Sequence, residues 1–482
     1  MAGPQRLEFT GPELCRLEAH QVVSLLKRGE VSPNDLLDAA FGRIESVGPS
    51  INATPVVCKD RAYAAADSLG DSERNNSGWL AGLPIGIKDL TPVAGVRTTF
   101  GTKELAEFVP EKSDPLVERL EARGGLITGK TNTPEFGAGG NTFNDVFGPT
   151  RNPWDTSLNA GGSSGGAAAS LAAGETWLSH GSDHGGSLRT PAAFCGVVGL
   201  RPSPGRAGGA SMDTGYFIEG LQGPMARSVR DCALFLDAMA GYEPRFPISY
   251  PAPDSSFQDA VLRADGKLKI AFTPDLNGLS PVDGEVDNHL RKVLRSLELN
   301  GATVEEICPE LPGLEATYHT LRGMMWATMM QRMNPSIRQH FKTTLEQNTR
   351  MGEALVMSDI ADANLNRSTI YNNMVALFGT YDVLACPTVG CMPHPQSEEW
   401  VRNVGGQDLV FYMDWLRFSF LSTVTGLPAI SVPVGLGPRG LPVGMQLIGK
   451  PRGEADLLAA ARAIEIAVGG PLGPIDPNVT HR

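Results

Sequence analysis

Short apolar runs alternate along the chain with longer segments whose apolar residues recur at helical spacing. The runs Leu83–Ile87, Leu268–Phe272, Val383–Cys386, Ala429–Val434 and Val443–Ile448 have the length of buried strands. Helix starts are marked by caps. Ser32-Pro33, with Asp35 placed to complete a capping box, opens a helix expected to end at Gly48. Ser113-Asp114-Pro115 opens a second, closed by Gly124. Ser228 with Asp231 starts a third, apolar through Leu234 and Leu236, which stops at Gly241. Strands alternating with helices predict an α/β protein, its sheet covered by helices on both faces. The stretch Tyr242–Phe257 carries prolines at 244, 247, 251 and 253. It reads as a long surface crossover, since no shift of composition follows it, so residues 1–482 are expected to form one domain.

Composition narrows the function classes. With 41% hydrophobic and 20% charged residues, 482 residues suit a globular protein with a large core. A net charge of −12 and the lack of any Lys/Arg-rich run argue against nucleic acid as a partner. The start MAGPQRLEFTGPEL lacks the basic and apolar parts of a signal peptide, and no window has the ~18 apolar residues of a membrane span. Seven scattered cysteines without a CxxC pair are expected to be reduced thiols of a cytoplasmic protein. Cys386, Cys391 and His394 lie close in sequence but lack a fourth ligand, so no metal and no cofactor is expected.

Chemistry concentrates between Gly148 and Arg206. Gly161-Gly-Ser-Ser-Gly-Gly166 precedes AAASLAAG, a strong helix former, which sets Ser163 and Ser164 at a helix N-terminus. Ser182-Asp-His-Gly-Gly-Ser-Leu-Arg189 is a second glycine-rich loop presenting a serine. Two such loops, rich in free N–H groups, suit an acyl-transfer site with an oxyanion hole. Either loop alone is equally well read as a corner.

Together they resemble the amidase-signature family. Its pattern is a strand-end lysine, here in Gly86-Ile-Lys-Asp89, a Gly-Gly-Ser-Ser-Gly-Gly loop and an Asp-x-Gly-Gly-Ser-x-Arg loop. Its two catalytic serines stand 24 residues apart, and 187 − 163 = 24 here. Gly129-Lys-Thr-Asn-Thr-Pro-Glu135, Asn152-Pro-Trp154, Pro191-Ala-x-x-Cys-Gly196, Gly199-Leu-Arg-Pro202, the Thr425–Pro433 segment and Leu441–Leu447 also match. The resemblance is strongest over 80–206 and weakest over 250–400, where substrate-binding elements are expected to vary. It implies a large mixed sheet between helices, Ser187 as nucleophile, Ser163 as a proton relay preceded by a cis peptide, and Lys88 as general base. It further implies an oxyanion hole from the N–H groups of His184, Gly185, Gly186 and Ser187, with Ser164, Asp183 and Arg189 orienting the loops. Lys88 works as a base only if burial keeps it neutral, and Leu83, Ile85, Ile87 and Leu90 around it are apolar. Asp89 is expected on the opposite face of the strand.

His184 departs from the small or aliphatic residue usual at that position. It invites a Ser-His-Asp reading, but a residue three places along a loop is better read as pocket wall. Gly124–Thr131 matches G-x-x-x-x-G-K-T. A helix precedes it and Leu126-Ile127 lies inside it, which is the wrong context for phosphate binding. Gly161-x-Ser163-x-Gly165 matches a nucleophile elbow, but Asp155–Ala160 does not read as the strand that elbow needs. Segment 203–222 reads as a substrate lid, with Arg206 either swinging over the pocket mouth or solvated. The Met-rich stretch Met324–Met333 reads as a core helix or as the lining of a substrate cavity, with Met325 as a contact. The resemblance implies a hydrolase of small-molecule amides, esters or carbamates, urethanase-type cleavage included, acting as a monomer or homodimer away from membranes. Two alternatives remain: the amidase component of a tRNA-dependent amidotransferase complex, and a scaffold that has lost catalysis.

Overall fold

The computed structural model describes residues 7–70, 73–209 and 212–481. Among them an eleven-stranded sheet runs through the molecule. In chain order its strands are β1 (Val56–Val57), β2 (Leu83–Lys88), β3 (Gly125–Thr131), β4 (Leu178–Asp183), β5 (Val198–Arg201), β6 (Leu221–Ala226), β7 (Lys269–Phe272), β8 (Thr303–Glu306), β9 (Val383–Pro387), β10 (Ala429–Leu436) and β11 (Pro442–Ile448). Across the sheet they lie in the order β1-β3-β2-β4-β6-β5-β10-β11-β9-β7-β8. β3, β2 and β4 are parallel, as are β9, β7 and β8, while the strands from β4 through β6, β5, β10 and β11 to β9 pair antiparallel. The sheet is mixed, as expected.

Strand residues buried on both faces explain the continuous apolar runs, because each face meets a helical layer. Ile430, Val432, Met445 and Leu447 join one core with residues of helices Val229–Met239 and Glu454–Ala467. Their neighbours Ala429 and Ile448 point the other way, into a core with helices Leu314–Met330 and Phe420–Thr425. Helices Gly165–Ala172 and Arg189–Cys195 fill the remaining ground with alanines that let them approach closely.

All five expected strands form, and the caps behave as expected at Ser32, Asp114 and Ser228. Two readings are corrected. The first helix runs past Gly48, through Pro49 to Ile51, because Asn52 supplies the left-handed cap and returns its N–H to the Gly48 carbonyl at 2.8 Å. Asp155–Asn159 is a strand, pairing with Arg151–Asn152 in a separate two-stranded ribbon. It lies outside the large sheet, so it makes no strand-to-helix elbow of the α/β-hydrolase kind. Gly125–Thr131 is itself a strand, so the phosphate-loop match spans β3 and no phosphate cradle forms.

Candidate active site

Parallel pairing of β2 with β4 aligns Ile85 with Leu178 and Gly86 with Ser179, which brings the ends of the two strands together. Lys88 ends β2, and Ser182 and Asp183 end β4. The N-terminus of helix Gly165–Ala172 enters the same space with Ser164 at its cap, and the Gly162–Ser163 peptide is cis.

Lys88 is fully buried, with Nζ 2.7 Å from Ser163 Oγ, 2.8 Å from Ser164 Oγ and 3.1 Å from Ser182 Oγ. Burial brings its pKa down to about 7, although the Asp183 carboxylate works against the shift. Asp89 does not hold it charged: that carboxylate accepts from Thr99 and faces a second buried lysine, Lys130, at 3.6 Å. Ser163 is 2% exposed, whereas Ser187 keeps part of its surface accessible. Ser164 N–H donates to the Ser187 carbonyl at 3.2 Å and ties the two serine loops together.

The loop after β4 is built around one carboxylate. Asp183 accepts from the Gly186 and Leu188 N–H groups at 3.1 and 3.0 Å, from Arg189 at 3.1 and 2.8 Å, and from Arg201 at 3.3 Å. Burial alone would raise the Asp183 carboxyl, but Arg189 and Arg201 hold it well below the usual carboxylate range. Arg189 in turn donates to Ser422 Oγ at 2.7 Å and to Gln446, and Thr423 Oγ1 donates to the His184 carbonyl at 2.6 Å. Gly186 has φ +93°, a conformation that disfavours any side chain. A Cβ on Gly185 would stand 2.4 Å from Tyr318 Oη. The expected oxyanion set is therefore narrowed. Gly186 spends its N–H on Asp183, while among the described residues those of His184, Gly185 and Ser187 have no protein acceptor.

Other expected residues fall differently. Arg206 is no lid residue: it is buried, pairs with Glu454 at 3.2 Å and lies 4.5 Å over the Tyr250 ring. A guanidinium clamped between a carboxylate and an aromatic face has no freedom to swing. The expected lid also includes residues 210 and 211, which lie outside the described residues. Met325 is half-buried on helix Leu314–Met330, against a small cluster of Ala138, Trp326 and Leu345, so the Met-rich stretch is mainly packing. Cys386, Cys391 and His394 do not converge: the groupings of close ligand atoms among the described residues are Glu18/His20/Asp231 and Glu315/His319/Asp414. In the first, Asp231 already accepts the Ala19 and His20 N–H groups; in the second, Glu315 and Asp414 pair with Arg417. The seven cysteines are all free, and among the described residues no helix is long and apolar enough to cross a membrane.

Sequence reasoning missed several groups around the site. His180 on β4 is buried beside Lys88, its Nδ1 3.4 Å from the Lys88 N–H and its Nε2 2.7 Å from Gln222; burial lowers its pKa to about 3, so it is neutral. Arg201 and Gln446 sit in matched segments, but the bond of Arg201 to Asp183 and that of Gln446 to Arg189 are invisible in the sequence. Tyr318 and Arg322 lie in the variable region, where no motif marks them.

Residues 35–458 match the Amidase family model, and the chain belongs to that family. It is an amidase-signature hydrolase acting on carbon–nitrogen bonds. It is 34% identical to an acylamidase of Rhodococcus erythropolis, over 95% of this chain and 96% of the relative. It is 35% identical to a glutamyl-tRNA(Gln) amidotransferase component of Moorella thermoacetica, over 94% and 97%. Among solved structures, a bacterial aryl acylamidase superposes with a TM-score of 0.86 at 29% identity, covering 94% of this chain and 96% of that one.

Proposed function

We propose that the protein hydrolyses small-molecule amides through an acyl-enzyme on Ser187, with esters and carbamates, urethanes included, as further substrates. The observation that carries this reading is Lys88: burial brings its pKa down to about 7, so about half of its amine is neutral at pH 7, and it stands 2.7 Å from Ser163 Oγ. Ser187 Oγ attacks the carbonyl carbon and passes its proton to Ser163, whose own proton moves to Lys88 Nζ. The N–H groups of His184, Gly185 and Ser187 take the negative charge of the tetrahedral intermediate. The lysine ammonium returns its proton through Ser163 to the departing nitrogen, and water then releases the acyl group by the same route. Ser164, Ser182, Asp183 and Arg189 hold this geometry without touching substrate. The seven free cysteines fit a reducing, cytoplasmic setting. We place the enzyme there as a monomer or homodimer without cofactor or metal.

The test is a panel of a 4-nitroanilide, a 4-nitrophenyl ester and an aryl carbamate, assayed with the purified chain alone and with chelator. Turnover that needs no partner and ignores chelator is the expected result. The second reading is the amidase component of an amidotransferase complex, which the 35% identity to such a component favours. That reading predicts negligible anilide cleavage until the partner chains are added.

A further inference from the structure

Arg322, on helix Leu314–Met330, is 5% exposed, and among the described residues no carboxylate pairs with it. Its partners are neutral. Nε donates to Asn348 Oδ1 at 2.6 Å, Nη2 to Tyr412 Oη at 2.6 Å, and Nη1 lies 3.4 Å from His184 Nδ1. A guanidinium has five N–H donors and stays charged, so about two remain beyond these contacts, one on each terminal nitrogen, and the neighbouring Tyr318 oxygen can accept at most one of them. A buried charge without a counter-ion is costly and needs a reason.

Two further groups beside it lack partners. An arginine only donates, so the His184 nitrogen facing it accepts and the ring proton sits on Nε2, which is buried with no acceptor. Tyr318 packs its ring edge-on to His184 and flat on Phe420, 3.6 Å between centroids, and its buried Oη has no hydrogen bond of acceptable geometry. That oxygen stands where a Gly185 side chain would be. Two donors without an acceptor, the His184 ring N–H and the Tyr318 hydroxyl, thus meet a spare Arg322 N–H beside the loop that presents Ser187.

We propose that Arg322, Tyr318 and His184 form a subsite for a carboxylate on the acyl portion of the substrate. The assignment rests on the hydrolase reading above and narrows its substrate class to amides of dicarboxylic acids or similar anionic acyl groups. The acyl side follows from the geometry of attack. The leaving nitrogen must face Ser163, which returns its proton, and the carbonyl oxygen must face the free N–H groups. The third substituent of the carbonyl carbon is the one assigned to this subsite, because Gly185 backs onto Tyr318 Oη and His184 Nδ1 faces Arg322.

The experiment compares glutaryl 4-nitroanilide with pentanoyl 4-nitroanilide, near-isosteric acyl chains that differ in the terminal carboxylate. Calorimetric titration with glutarate, and with neutral glutaramide, measures binding without turnover. A hydrogen-bonded charge in such a site contributes roughly 10- to 100-fold, so the wild type is expected to favour the glutaryl anilide by about 30-fold in kcat/KM. Arg322→Met is expected to bring that ratio near one and to abolish glutarate binding. Tyr318→Phe, which removes one hydroxyl, is expected to lower the ratio about 3- to 10-fold, mostly through KM. Equal kcat/KM for the two anilides in the wild type, with no glutarate binding, overturns the subsite without needing a variant. A ratio unchanged in Arg322→Met overturns it as well and leaves Arg322 as a tie between helices. A chain that binds glutarate through Arg322 yet cleaves neither anilide keeps the subsite and refutes the hydrolase reading instead.

Discussion

Replacing Lys88 by Met isolates what its burial costs. The methionine keeps most of the volume and removes both the base and the titration. A lysine that titrates at about 7 in the fold and at ~10.4 when unfolded binds fewer protons folded than unfolded between those values. Stability then rises with pH across that window, and the lysine costs the fold about 4 kcal/mol at pH 7 relative to a group that never ionises. By pH 10 that cost falls below about 1 kcal/mol. Against it stand contacts with Ser163, Ser164 and Ser182, which contribute roughly 1 kcal/mol each and are lost in the variant at every pH. Lys88→Met is therefore expected to be inactive yet about as stable as the wild type at pH 7, or more so. Relative to the wild type it should lose about 3 kcal/mol between pH 7 and pH 10. Urea unfolding of both proteins at unit steps of pH measures this, read as the difference between them. Parallel curves would show that Lys88 is not neutralised by the fold and would remove the argument for its role as base. The same titration predicts that wild-type kcat/KM rises through an apparent pKa near 7.

Ser187→Ala should abolish turnover, and a fluorophosphonate probe should label Ser187 alone; labelling of Ser163 would reverse the two serines. Ser163→Ala should lose most activity, with the double variant little worse than the poorer single one. Asp183→Asn should destabilise the fold by roughly 3–5 kcal/mol, since two arginines then lose their counter-ion, and should slow Ser187 labelling. Because that carboxyl is held low, its contribution should persist above about pH 4 and fade only in more acid solution, which thermal unfolding from pH 3 to 7 can follow. Arg206→Ala should lower the unfolding midpoint by leaving Glu454 buried and unpaired, while the order of preference among substrates of graded size stays the same.

The parts of the molecule legible in the sequence are those set by local rules. Apolar runs of strand length, the caps at Ser32, Asp114 and Ser228, and the glycine loops each depend on neighbours along the chain. The Asp155–Asn159 strand escapes such rules because its pairing in a small ribbon leaves its side chains only partly buried, so no apolar run marks it. Arg206 misleads for the opposite reason. Glycines around it suggest mobility, but its partners Glu454 and Tyr250 come from distant segments. The narrowing of the oxyanion loop turns on Gly186 bonding to Asp183, a detail of loop curvature that letters do not carry. Arg322 is unreadable in sequence because what distinguishes it is the lack of an acid, which only a packed interior can define.

The loop that presents Ser187 is secured from the far end of the chain: Ser422 and Gln446 hold Arg189, and Thr423 holds the His184 carbonyl. Lys88, Ser163 and Ser187 leave the ribosome more than 200 residues before these anchors do. A nascent chain stopped at 400 would carry every proposed reacting group and yet leave Arg189 without Ser422 and Gln446 and the His184 carbonyl without Thr423. On the proposed mechanism, reactivity is therefore conferred last, by a helix and a strand that contain none of the chemistry. If Ser187 is the nucleophile, its loop is fully anchored only in a molecule whose sheet has been completed.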